Sequence, residues 1–110
     1  MRLQTGNLYS FDAQHGDEER IDVLVTGQRL NVERIVSMGH ASPEGFWYDD
    51  SRAEWVVLLA GAAVLEFEED AMLHDMRPGD YVLIEPHCRH RVASTHAEEQ
   101  TVWLAIYHER

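Results

Sequence analysis

Gly79-Asp80-Tyr81-Val82-Leu83-Ile84-Glu85-Pro86-His87-Cys88-Arg89-His90 decides the fold of this 110-residue chain. Pro78 precedes it, so a Pro-Gly-Asp turn, whose glycine is free to take positive φ, launches an apolar strand from Tyr81 to Ile84. Pro86 ends that strand. His90 then opens a second apolar run, Val92-Ala93, which puts a titratable imidazole where a sheet interior should begin.

Outward from this stretch the same grammar repeats. Short β-branched or apolar runs occupy Ile21-Val25, Leu30-Ser37, Trp55-Leu59, Ala63-Glu68, Ala71-Met76, Tyr81-Ile84, His90-Ser94 and Val102-His108. Gly27, Gly39, Gly61, Asp70, Pro78, Pro86 and the polar His96 to Gln100 lie between or beside them. Helical periodicity never takes hold, and about eight strands are predicted. Ala63, Leu65 and Phe67 alternate with Val64, Glu66 and Glu68, the pattern of a strand with one face on a core and one in water. Trp55 to Leu59 is apolar on both faces, which predicts a central strand or one lying under a partner subunit. Eight short strands must dispose of their sheet edges, and a double-sheet jelly roll does so. An immunoglobulin-like sandwich is the rival, but the Cys, Trp, Cys core of that fold is absent.

One domain is expected over residues 1–110: an N-terminal arm over 1–20, polar and acidic from Asp12 to Arg20, and a β-barrel over 21–110. The apolar fraction of 45% is ordinary for a globular chain, and no segment approaches the ~18 continuous apolar residues of a membrane helix. The start has no apolar core of a signal peptide, and Cys88 has no second cysteine to bond, so a cytoplasmic location is expected. The formal charge is −11, from 20 acidic and 9 basic residues, a field that repels nucleic acid and anionic membrane surfaces. All nine basic residues are arginines. Without lysine, Schiff-base catalysis, pyridoxal phosphate attachment and lysine-dependent phosphate loops are excluded, and no organic cofactor is indicated.

Two motif halves then give the chain a resemblance. Gly79, the five residues Asp80 to Ile84, and His90 fall on the second motif of the cupin family; Glu85 stands at its proline, His87 at its second glycine and Ser94 at its asparagine. Glu54, the six residues Trp55 to Ala60, and Gly61 match the end of the first motif. Where that motif has His-x-His, three or four residues before the glutamate, this chain has Phe46-Trp47-Tyr48-Asp49-Asp50, and no glycine stands where the motif should open. The replaced histidines are Trp47 and Asp49 in one frame, which we prefer, or Tyr48 and Asp50 in the other. The chain resembles small bacterial cupins with Trp-Tyr-Asp at this place, over about residues 45 to 108. The resemblance implies an all-β cupin jelly-roll barrel, the double-stranded β-helix.

It also implies a site. Cupins that carry metal hold it inside the barrel with the first-motif histidines, the glutamate and the second-motif histidine, which here leaves Asp49, Glu54 and His90, with His87 as a further nitrogen. Such a set would take a divalent metal ion, with manganese or iron favoured and zinc or nickel as alternatives, for an oxygenase-like or isomerase-like reaction. Read without a metal, His90 is a partly buried imidazole bonded to a carbonyl or to Glu54, and Asp49 belongs to a hydrophilic loop. Glu54 would then be a solvated glutamate before a buried strand, but its place ahead of five apolar residues on an inward face argues for a buried carboxylate, which needs a partner or a metal. Trp47 and Tyr48 would wall the cavity mouth. Cys88, two residues from His90, shares its face in an extended chain, while Arg89 and Arg91 face away and can pair with the acids. Tyr81, Trp103 and Tyr107 read as core or interface. The expectation is therefore a small-molecule-binding barrel that forms a homodimer. Its alternatives are a metal-free binding or sensing module and a structural dimerisation barrel without catalysis.

Overall fold

The computed structural model describes residues 2–11 and 18–109. Its strands form where the alternating runs meet turn residues: β1 Arg20–Thr26, β2 Leu30–Ser37, β3 Ala53–Ala60, β4 Ala63–Phe67, β5 Met72–Met76, β6 Tyr81–Ile84, β7 His90–Thr95 and β8 Thr101–His108. A single 3₁₀ turn, Glu69–Ala71, lies between β4 and β5. All eight predicted runs are strands. The acidic stretch at 12–17 lies outside the described residues.

One sheet has the order β1-β2-β8-β3-β6 and the other β5-β4-β7, and every pairing is antiparallel. Register decides which side chains meet inside. Val56 lies opposite Ala105, Leu58 opposite Trp103 and Glu54 opposite Tyr107 across β3 and β8. On β2, Glu33 faces Ala105 and Ile35 faces Trp103, while Ile84 of β6 faces Glu54. Since side chains alternate along a strand, these residues share the inner face of the large sheet. There Val56, Leu58, Trp103, Ala105 and Ile84 pack with Ala63, Leu65 and Met76 of the small sheet as one buried cluster. The expected alternation in β4 holds, with Ala63 and Leu65 buried and Phe67 packed against the core.

Two turns need their glycines. In the Arg77-Pro78-Gly79-Asp80 turn, the Asp80 amide donates to the Arg77 carbonyl (2.9 Å) and Gly79 has φ 93°, the positive value that follows proline in a type II turn. Between β3 and β4, Gly61 has φ 86°, and a Cβ there would lie 2.6 Å from the Thr101 Cα and 2.8 Å from the Gln100 carbonyl oxygen. No other residue fits that approach of β8.

The arm crosses the outer face of the large sheet and is tied down by one cation. Arg34, almost fully buried, donates to the carbonyls of Asn7, Leu8 and Ser10 (3.3, 3.4 and 3.2 Å), pairs with Asp22 (2.8 Å) and lies 5.0 Å from the Phe11 ring centre. Arg34 holds the Asp22 carboxyl below its ordinary pKa against the opposing effect of burial, with Arg20 adding to the pull. Trp55, Val57 and Leu59 also face outward, half-buried, beside exposed Tyr81 and Leu83.

Candidate functional site

The barrel interior contains a cavity of about 100 Å³ whose aliphatic wall includes Ile35, Val56, Leu65, Ile84 and Val92. Its polar and aromatic lining consists of Glu19, Glu33, Tyr48, Glu54, His90, Trp103 and Tyr107. An acidic side chain can stand at the end of an otherwise apolar strand face because the β3 register turns Glu54 inward at the barrel mouth.

Glu54 and His90 form the centre. Their side chains are 12% and 8% exposed, and His90 Nε2 lies 3.4 Å from Glu54 Oε1, a long ion-pair contact. At its other nitrogen the ring is fixed: Nδ1 donates to the Cys88 carbonyl (2.9 Å), because a carbonyl can only accept. Nε2 therefore carries either the second proton or a lone pair toward Glu54. Burial pulls the His90 pKa down, but Glu54, the Cys88 carbonyl and Asp50 outweigh it, and the net direction is up.

Tyr48 closes the site. Its amide donates to the His90 carbonyl (2.7 Å) and the His90 amide donates to the Tyr48 carbonyl (3.2 Å), an antiparallel bridge that clips the 46–50 segment onto the first residue of β7. The Tyr48 and His90 rings stack with centroids 5.5 Å apart, Phe46 meets Tyr48 edge-on at 4.8 Å, and Phe67 lies 6.1 Å from the imidazole on the other wall. A second cavity, of about 330 Å³, shares Tyr48, Glu54, His90 and Tyr107 with the first and adds Phe46, Trp47, Asp49 and Asp50. Tyr48 thus stands between the interior and this vestibule. Burial first, then Glu19 and Glu54, raises the Tyr48 pKa; burial first, then Glu54 and Glu33, raises that of Tyr107 further. Both phenols stay protonated.

The frame preferred from the sequence is reversed. Tyr48, which bridges His90, takes the place against the histidine ring, while Trp47 and Asp49 line the vestibule beside it. Asp49 is 45% exposed and bonded to His87 Nδ1 (2.8 Å), and His87 is itself 68% exposed in a left-handed turn conformation, φ 61°. Asp50, the other candidate, is held by Arg52 through two contacts of 3.0 and 2.9 Å, and that arginine, outweighing burial, keeps its carboxyl below the ordinary pKa. The Arg52 guanidinium also lies 4.6 Å from the Tyr107 ring centre. Cys88 packs at the edge of the core with its thiol pKa raised by burial and by Glu69 and Glu85, so its part at the site is played by its carbonyl. Arg89 and Arg91 face away, on Glu68 and Glu66 (both 2.9 Å).

The four expected metal ligands therefore divide into two separate pairs. Among the described residues no three His, Cys, Asp or Glu side chains converge as a metal site would require, and the adjacent phenols are poor ligands while protonated. The donor set does not fit a resident metal. The sequence reading missed Glu19 and Glu33; Trp103 and Tyr107, read as core or interface, do belong to the core, Trp103 in the buried cluster and Tyr107 packed against it, and both also line the cavity. The signal for the last two was present, since Trp103, Ala105 and Tyr107 alternate with Val102, Leu104 and Ile106.

Comparison with other proteins bears on the fold and on the lineage. Residues 35–107 match the family model described as Cupin domain. A crystal structure from Ralstonia eutropha JMP134, of a protein named a putative mannose-6-phosphate isomerase, is 42% identical. It superposes with a TM-score of 0.93, covering 98% of this chain and 100% of that one. A cupin superfamily protein from Desulfitobacterium hafniense DCB-2 has a TM-score of 0.74 at 16% identity over 91% of this chain and 84% of its own. An RmlC-like cupin with a double-stranded β-helix fold from Methanocaldococcus jannaschii has a TM-score of 0.70 at 13% identity, over 90% and 87% of the two chains. No curated protein matches. Among the described residues no helix is long and apolar enough to cross a membrane.

Proposed function

The chain belongs to the cupin family, and we propose that it binds a small molecule inside the barrel without a resident metal, using Glu54 and His90 as its polar contacts. The observation that carries this reading is the buried Glu54–His90 pair opening on an aromatic-walled cavity. Ligand sites are typically concave and mostly apolar, with a few polar groups that fix orientation. Here the Cys88 carbonyl orients the imidazole and Glu54 stabilises its protonated form, so the pair can give a proton to a bound molecule or accept one from it. Tyr48 stacks on the His90 ring at the cavity mouth.

The name of the Ralstonia protein raises phosphosugar isomerisation as a second reading, which the cavity does not favour. A phosphate monoester carries about −1.5 to −2 charges at pH 7, whereas the cavity lining has three glutamates and, among the described residues, no arginine. For assembly we propose a homodimer over the outer face of the large sheet, where Trp55, Val57, Tyr81 and Leu83 lie; light scattering should give twice the 12.7 kDa chain mass.

The test is a small-molecule thermal-shift screen on untagged protein, with and without chelator, beside metal analysis. Hits should raise the Tm equally in both conditions and lose their effect in His90→Ala. Stoichiometric metal, with ligand response abolished by chelation, would overturn the metal-free reading.

A further inference from the structure

Resting on the small-molecule reading above, we propose that the cavity is built for a compact organic ammonium ion, which donates N–H bonds to Glu54 Oε1 and His90 Nε2 together. The geometry begins with the Cys88 carbonyl. Because it takes the Nδ1 proton, the neutral imidazole has only a lone pair at Nε2, and that lone pair stands 3.4 Å from a carboxylate oxygen. Two buried acceptors at that separation repel unless a donor or positive charge lies between them or beside both. A proton on His90 is the internal solution. An ammonium group, with several N–H donors on one charged atom, is the external one, and it can reach both acceptors from the cavity side.

The remaining walls select for positive charge. Glu19 and Glu33 line the same cavity from other elements, and their hydrogen-bond donors are neutral: the Ser37 hydroxyl (2.7 Å) for Glu19 and the Asn31 amide for Glu33. Carboxylates around a concave, low-dielectric space focus a negative potential within it. After burial, the same carboxylates push the phenol pKa values upward, Glu19 and Glu54 that of Tyr48, and Glu54 and Glu33 that of Tyr107. Tyr48, Trp103 and Tyr107 present ring systems, whose faces attract cations. Tyr107 already has one such neighbour, the Arg52 guanidinium, whose charge is engaged by Asp50.

Size limits the ligand. A dry cavity of roughly 150 Å³ accommodates benzene. By that measure a space of about 100 Å³ suits about four non-hydrogen atoms of a ligand, with the vestibule beyond Tyr48 available to anything longer. An anion of the same shape meets three carboxylates, and a neutral alcohol lacks the charge that Glu54 would pair.

n-Butylammonium, 1-butanol and butyrate form a series of similar chain length and three charges. Titrated separately into the unaltered protein at pH 7.5, and followed by amide chemical shifts, n-butylammonium should saturate with shifts centred on Tyr48, Glu54, His90 and Tyr107. Butanol should bind at least tenfold more weakly and butyrate should leave the cavity unshifted. Glu54→Gln should weaken n-butylammonium at least tenfold while changing butanol less than twofold. Equal or tighter binding of butanol or butyrate would overturn the cation assignment and leave the small-molecule reading standing; no cavity shifts with any of the three would count against both. Manganese or zinc chloride that binds stoichiometrically and displaces n-butylammonium would overturn it too, making the pair a metal clamp. The charge series decides even if Glu54→Gln does not fold.

Discussion

Two histidine–carboxylate pairs flank the 46–50 segment, and they invite opposite readings from distance and from burial. Asp49–His87 is the closer, at 2.8 Å, with both side chains well exposed at the mouth; Glu54–His90 is longer, at 3.4 Å, with both almost wholly withdrawn from water. An exposed pair is screened and gives up side-chain freedom, so it contributes about 0–1 kcal/mol however short it is. A buried pair has already given up its hydration, so the loss of either partner leaves the other uncompensated. The difference teaches that the solvent boundary, here the Tyr48–His90 stack, ranks these contacts more reliably than ångströms do.

The largest effect expected from this comparison is at Glu54. Glu54→Ala should lower unfolding free energy by about 3 kcal/mol at pH 6, measured by urea denaturation, because a buried imidazolium loses its counter-charge. The double change Glu54→Leu with His90→Phe should recover most of that loss, since an apolar pair of similar volume avoids the desolvation of both ions. A Glu54→Ala cost no greater than that of Asp49→Ala would break the comparison.

A smaller effect lies in pH. The His90 pKa is raised in the folded state, so the stability it contributes is fully present below its unfolded value of about 6.5 and is lost as pH rises through the folded value. In Glu54→Gln the carboxylate that raises it is gone and burial acts with less opposition. The stability gap between the unaltered protein and Glu54→Gln should therefore be widest near pH 5.5 and narrow steadily toward alkaline pH. A gap that widens upward would mean that Glu54 does not hold the His90 imidazole in its protonated form.

Much of this was legible in the sequence, and where it stopped being legible has a physical cause. Strand positions followed from Gly61, Pro78-Gly79 and Pro86, because turn residues act locally through φ. The pairing of Glu54 with His90 followed from two motif halves, because strand register carries both residues inward. The choice between Trp47 and Tyr48 did not follow: a single main-chain bridge to His90, made across 42 positions of chain, sets which side of that loop faces in. Glu19 and Glu33 were missed for a related reason, since a carboxylate on β2 or before β1 reads as solvent-facing until the curvature of the sheet brings it to the cavity.

The smallest effect sharpens the exposed half of the comparison. His87 has φ 61°, in the left-handed region that costs a residue with a Cβ roughly 1–2 kcal/mol and glycine nearly nothing. Two terms oppose that gain in His87→Gly: loss of the contact to Asp49, and the extra freedom glycine confers on the unfolded chain, which costs about 0.4–1 kcal/mol. If exposure makes the Asp49 contact nearly worthless, relief of strain prevails. His87→Gly should then raise stability by about 0.5 kcal/mol, read as a Tm higher by a few degrees, and Asp49→Ala alone should leave the Tm unchanged. A fall in both variants would mean that the short pair at the mouth also pins the 46–50 segment and, through it, the Tyr48 cover on His90. The buried pair would then depend on the exposed one, and the Glu54→Ala cost would shrink when measured in the Asp49→Ala background.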